Sequence, residues 1–85
     1  MKRTSIHSPR HEVLVAYLRE LRVVRGLTQA DVAVALDRPQ TYVSDIEQKK
    51  RGLDLLQVLD FCQAFDVKFE DFAVELMKRI RARKA

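Results

Sequence analysis

In the stretch RPQTYVSDIEQKKR, residues 38–51, the side chains of Gln40, Thr41, Ser44 and Asp45 supply an amide, two hydroxyls and a carboxylate, and Lys49, Lys50 and Arg51 follow at once. A glutamine amide donates and accepts in one plane, which matches the major-groove edge of adenine. A threonine offers a methyl to a thymine methyl, or a hydroxyl to a base or phosphate. An aspartate can accept from a cytosine amino group, although it repels phosphates. Cations beside such a set neutralise phosphates, which position a protein while bases specify it. This chemistry needs the polar groups on one edge of a helix with nothing of the chain over them.

The surrounding sequence supplies such a helix. Val43 and Ile46 form an inward pair on a helix from residue 39 or 40 to 48, which leaves Gln40, Thr41, Ser44 and Asp45 on the other side. Before it, Thr28 is the N-cap of a helix of about nine residues. Asp31 completes a short capping box, and Leu27 and Val32 form a hydrophobic staple. Val32, Ala33 and Leu36 face inward. LDRPQ then breaks the helix: Pro39 disfavours the α region for Arg38, and its own φ suits the first turn of a new helix. Two helices so short, joined by so brief a corner, must cross steeply. That is a helix-turn-helix, in which the first helix braces and the second enters the DNA major groove.

Three further helices complete the expected unit. Ser8 and Pro9 start the first as N-cap and first helical residue, Leu14, Tyr17, Leu18 and Leu21 form its inner face, and Gly26 ends it in the left-handed region. The fourth covers residues 54–65, with Leu55, Leu56, Leu59, Cys62 and Phe65 inward. The fifth covers 69–81, with Phe69, Phe72, Leu76 and Ile80 on one stripe and frayed residues beyond. The expectation is an all-α, compact five-helix bundle: a loose basic arm at 1–7, the helix-turn-helix domain at 8–81 and a basic tail at 82–85.

Composition agrees with one small domain. Apolar residues (47 %) suffice for one core, and charged residues (33 %) are near the globular norm. Two glycines and two prolines are too few for a turn-rich β fold. The single Cys62 excludes an internal disulfide framework and fits a reducing compartment. No apolar run approaches the length of a membrane span, and no secretory pattern is seen, so the expected location is the cytoplasm. Net charge is +4, and it is segregated: residues 52–76 hold six acids and one lysine, while the last nine residues hold five basic side chains and no acid. Segregated basic charge is an electrostatic footprint of polyanion binding.

Other features read as structural. His7 and His11 have a spacing that two metal ligands can use, but no third ligand is evident, so no metal or other cofactor is expected. Cys62 reads as a small packed hydrophobe. The terminal KRIRARK is either a second phosphate-binding element or a solubilising tail. No Ser/His/Asp or Cys/His set, paired carboxylates in an evident cleft or glycine-rich phosphate loop supports an enzyme.

The strings LRELRVVRGLTQADVAVAL, RPQTYVSDIEQKKR and LQVLDFCQAFDV, within residues 18–72, resemble the phage repressor/Cro-type helix-turn-helix family, often called XRE-like regulators. The resemblance implies five helices and DNA binding as a two-fold dimer. It implies base reading by Gln40, Thr41 and Asp45 with Ser44 facing the groove, and phosphate or backbone contacts from Gln29, Tyr42, Lys50 and Arg51; Lys49 in the basic loop and Arg38 in the corner are expected as further phosphate contacts. It implies a partly buried salt bridge between Arg22 and Glu47 that orients the third helix. The chain departs from the family in having Asp37 where the corner usually carries Gly, Pro39 where a Ser or Thr cap is usual, and an acid at position 45.

Phe69 and Phe72 close most of the expected core, which leaves Val74, Met77 and Ile80 undercovered. A homodimer contact is therefore expected on Phe72, Val74, Met77 and Ile80. The expected function is a sequence-specific regulator of transcription, a repressor that binds an inverted repeat in double-stranded DNA, nucleoid-associated in a bacterium or acting for a phage. The alternative is an antitoxin-like protein with a protein partner; no membrane role is expected.

Overall fold

Three helix starts are fixed by side chains that satisfy first-turn amides. Ser8 Oγ accepts from the His11 amide at 3.1 Å. Thr28 and Asp31 exchange reciprocal bonds, with Asp31 N–H to Thr28 Oγ1 at 3.0 Å and Thr28 N–H to Asp31 Oδ2 at 2.8 Å. Asp54 and Gln57 repeat the device at 2.8 and 2.9 Å. Each such cap contributes about 1 kcal/mol. In the computed structural model, which describes residues 7–83, these caps open α1 (Pro9–Val24), α2 (Gln29–Leu36) and α4 (Leu55–Ala64); α3 (Gln40–Glu47) begins after Pro39 with no side-chain cap, and α5 is Phe69–Arg83. No strand occurs among the described residues. The chain is thus an all-α five-helix bundle.

Left-handed residues turn the chain between helices. Gly26 (φ 70°) follows α1, Asp37 (φ 56°) ends α2, Lys49 (φ 61°) follows α3 and Asp66 (φ 56°) follows α4. Asp tolerates this region better than most side chains because its short carboxylate can bond locally, so Asp37 can make this corner.

The core lies where all five helices converge. Leu18 from α1, Val32 from α2, Val43 and Ile46 from α3, Phe61 and Cys62 from α4 and Phe72 from α5 are each at most 4 % exposed, as is Phe65 just after α4. Tyr17 and Phe72 stack with ring centroids 4.9 Å apart, joining α1 to α5. Burial pushes the Cys62 thiol up from its ordinary pKa, as suits a packed hydrophobe.

Three expectations need correction. Leu55 and Leu56 do not face inward: they are 61 % and 69 % exposed on the first turn of α4, which packs through Val58, Phe61 and Cys62 instead. Phe72 cannot belong to a dimer contact, because it is fully buried against Tyr17; Val74 and Met77 are exposed and Ile80 is half-buried. The end of the chain does not fray at residue 82, since α5 continues to Arg83. Arg83 donates to Glu12 at 2.8 Å and to the Pro9 carbonyl at 3.4 Å. Arg79 donates to both Glu20 oxygens, at 2.9 and 2.8 Å, and to Glu75 at 2.9 Å, with its guanidinium 4.2 Å from the Tyr17 centroid. These two arginines strap α5 to α1. Apart from His7, the basic arm expected at 1–7 lies outside the described residues, as do 84–85 of the tail.

Candidate nucleic-acid interface

α3 is two-faced by its own sequence. Val43 and Ile46 are at most 1 % exposed, while Gln40 and Thr41 are exposed and Ser44 and Asp45 are half-buried. The first turn of α3, where the backbone amides have no helical partners, thus carries an amide and a hydroxyl with no part of the described chain over them. Ser44 Oγ accepts from Gln48 Nε2 at 3.1 Å, which holds its hydroxyl along the helix.

Arg22 on α1 fixes the other edge of α3. It grips Glu47 with two bonds, Nε to Oε2 at 2.7 Å and Nη2 to Oε1 at 3.0 Å, while Nη1 donates to the Leu27 carbonyl at 2.9 Å. The side chains of Arg22 and Glu47 are 12 % and 9 % exposed. The Glu47 bond holds the Arg22 pKa above its ordinary value against the opposing pull of burial. Glu47 Oε1 also accepts from Gln29 Nε2 at 3.0 Å, and Gln29 Oε1 accepts a long bond of 3.5 Å from Gln40 Nε2. Four side chains from three helices therefore form one chain, Arg22–Glu47–Gln29–Gln40, running from a buried ion pair to the exposed start of α3. Gln29 is at once a bracing residue and a neighbour of Gln40.

The cations sit around this edge unequally. Lys50, Arg51 and Arg38 are exposed. Lys49 is half-buried and its Nζ lies 3.6 Å from Glu12 Oε2, so its charge is partly spent within the molecule. Tyr42 is 7 % exposed, its ring packed toward Phe61 and covered by the Arg38 and Arg51 guanidinia. What this position presents outward is mainly the charge of those arginines.

Sequence reasoning missed two neighbours. Arg19 brings its Nε to 3.8 Å from Glu47 Oε1 while remaining mostly exposed; its place one helical turn before Arg22 was the available signal. His11 is buried beside the basic loop, and its Nε2 has no hydrogen-bond partner. Burial lowers its pKa; the Arg51 backbone opposes this, and Lys49 and His7 reinforce it. A histidine in the first turn of an amphipathic helix carries no sequence mark of burial. No group of three or more His, Cys, Asp or Glu among the described residues could hold a metal ion. No helix among them is long and apolar enough to cross a membrane.

Comparison with known proteins places this geometry. Residues 13–73 match the family model described as a helix-turn-helix domain. The chain is 36 % identical over 67 residues to the HTH-type transcriptional regulator PrpR of Mycobacterium tuberculosis, a match covering 79 % of this chain and 14 % of that protein. Among solved structures, it resembles the XRE-family like protein from Pseudomonas syringae pv. tomato with a TM-score of 0.74 and 32 % identity, over 94 % of this chain and 93 % of that one. It also resembles the restriction-modification controller protein C.Esp1396I, solved as a tetramer with its natural 35 base-pair operator, with a TM-score of 0.80 and 26 % identity over 87 % of this chain and 97 % of that one. The chain therefore belongs to the XRE-like helix-turn-helix family, a family of DNA-binding transcriptional regulators and not of enzymes.

Proposed function

We propose that the protein binds double-stranded DNA with α3 in the major groove, as a homodimer on an inverted-repeat operator, and represses transcription there. The observation that carries this reading is the exposed, polar first turn of α3, held by the Arg22–Glu47–Gln29 chain and flanked by exposed Arg38, Lys50 and Arg51. Gln40, Thr41, Ser44 and Asp45 read base edges; Gln29, Arg38, Lys49, Lys50 and Arg51 contact phosphates, and Tyr42, beneath two of those arginines, belongs to the same phosphate-binding set. Residues 8–81 form the DNA-binding unit. Exposed Val74 and Met77, with Ile80 beside them, form the apolar face on which two copies meet. Two-fold pairing sets the recognition helices about one DNA turn, roughly 34 Å, apart. The site of action is the nucleoid or a phage genome. The operator complex of C.Esp1396I supports the assembly by analogy of fold.

The test is a gel shift with the DNA upstream of the protein's own gene, at two salt concentrations. Binding should weaken steeply with salt, because each phosphate contact releases counterions. Gln40→Ala should lose about 1–3 kcal/mol on the operator and relax one base position, while Gln63→Ala on the exposed side of α4 should bind as the wild type does. Equal loss by Gln40→Ala on random DNA would overturn the base-reading role.

A second reading, an antitoxin-like protein partner, is favoured by a groove of about 530 Å³ lined by Pro9, Val13, Met77, Ile80 and arginines. Failure on operator DNA together with tight binding of a co-purifying protein would support it.

A further inference from the structure

Two arginines from separate loops stack on one ring. Arg38, in the α2–α3 corner, places its guanidinium carbon 5.1 Å from the Tyr42 centroid, and Arg51, in the loop after α3, places its own at 5.0 Å. The ring itself is set firmly in the fold: it is 7 % exposed and lies nearly parallel to Phe61, with centroids 6.5 Å apart and planes at 16°. Both arginines are otherwise exposed, and neither pairs with an acid among the described residues. A guanidinium held over an aromatic face is attracted by the ring and keeps N–H donors for planar acceptors such as phosphate oxygens. Contact with Tyr42 therefore favours one placement of these two charges while leaving donors available.

We propose that Tyr42 is a positioning residue, whose ring holds Arg38 and Arg51 as one preformed two-pronged site for neighbouring phosphodiesters of a DNA strand. The inference rests on the DNA-binding reading above and deepens it. Ordering a long arginine during association lowers affinity; an arginine already stacked loses less freedom when it binds. The ring also couples the corner before α3 to the loop after it, so both prongs move with the recognition helix.

The test measures affinity of the full-length protein for a random-sequence duplex, by fluorescence anisotropy over a range of salt. Thermal melts confirm that each variant is folded. Tyr42→Phe keeps the ring face and should bind within about twofold of the wild type, whereas Tyr42→Leu should lose roughly tenfold and show a shallower salt dependence. In an Arg38→Gln/Arg51→Gln background, Tyr42→Leu should add nothing. Should Tyr42→Leu not fold, Tyr42→Met takes its place: it fills similar space without a ring and leaves both arginines intact, so the proposal requires a loss that Tyr42→Phe does not cause and that vanishes in the double-Gln background. Loss in Tyr42→Phe equal to that in Tyr42→Leu, or an undiminished Tyr42→Leu effect in the double-Gln background, overturns the positioning role while leaving DNA binding intact. A wild-type protein that binds no duplex at low salt overturns the DNA-binding reading and this inference with it.

Discussion

Arg22 and Glu47 lie 25 positions apart in sequence and meet through two side-chain bonds of 2.7 and 3.0 Å, so that α1 sets the rotation of α3. Both side chains are largely out of solvent, at 12 % and 9 % exposure. A buried ion pair contributes little net stability over a well-packed apolar pair, but removing one partner strands the other. Glu47→Ala should therefore cost about 3–5 kcal/mol, read from urea denaturation. The double replacement Arg22→Met/Glu47→Leu should recover most of that loss while still binding operator more weakly than wild type, because Gln29 loses its anchor. A double variant as unstable as Glu47→Ala would mean that the pair stabilises the fold more than it orients α3.

Arg79, on α5, plays a different part against the same helix α1. Its flat face covers Tyr17 and its edges reach Glu20 and Glu75. These bonds, Glu20 first, raise its pKa above the ordinary arginine value. Arg79→Ala should cost about 1 kcal/mol from the lost stacking, a fall in melting temperature of roughly 4–8 °C for a domain of this size. Arg79→Lys keeps the charge but not the planar fork, and should restore less than half.

What the sequence made readable follows from the range of the interactions. Thr28 with Asp31, and Gly26 at the end of α1, are local devices whose partners lie within a few residues, and the structure has them as expected. The inward pair Val43 and Ile46 was equally legible, because α3 has only one apolar stripe. α4 was not: Leu55, Leu56, Val58, Leu59, Phe61 and Cys62 surround it with apolar residues. Which stripe faces the core is then settled by the helices packed against it, not by period. The same limit hid the contact of Arg79 with Tyr17, which joins residues far apart in the chain; Arg38 and Arg51 lie near Tyr42 in sequence, but which way their long side chains turn is set by the two loops that carry them.

The corner before α3 is a place where this chain pays for a side chain in the left-handed region. Asp37 has φ 56°, a conformation that costs an ordinary L residue about 1–2 kcal/mol and an aspartate less. Asp37→Gly relieves that strain but adds freedom to the unfolded chain, so the net gain should be below about 1 kcal/mol. Gly26, at φ 70° with open space where a Cβ would stand, is the reverse case. Gly26→Ala should cost about 1 kcal/mol from backbone conformation alone. Opposite shifts in denaturant midpoint are expected; a gain from Gly26→Ala would contradict the left-handed end of α1.

His11 gives the fold a pH dependence of defined sign. Burial pushes its pKa below the ordinary 6.5; the Arg51 backbone opposes the shift, and Lys49 and His7 add to it. Above about pH 7 the imidazole is neutral both folded and unfolded, and it adds no slope. Below 6.5 the unfolded chain takes up a proton that the folded chain resists, so stability falls with acidification until pH passes the lowered folded value. Glu12 and Glu20, whose bonds to Arg83 and Arg79 lower their pKa, and Asp31, lowered by its bonds to Thr28, act on the same curve only at more acid pH, near and below the ordinary carboxylate range. The two windows are therefore separable. His11→Gln should flatten the loss between pH 7 and 5 in denaturation titrations and leave the steeper loss below pH 4.5 in place. If the variant keeps the wild-type slope from pH 7 to 5, the group that takes up the proton in that window is not His11.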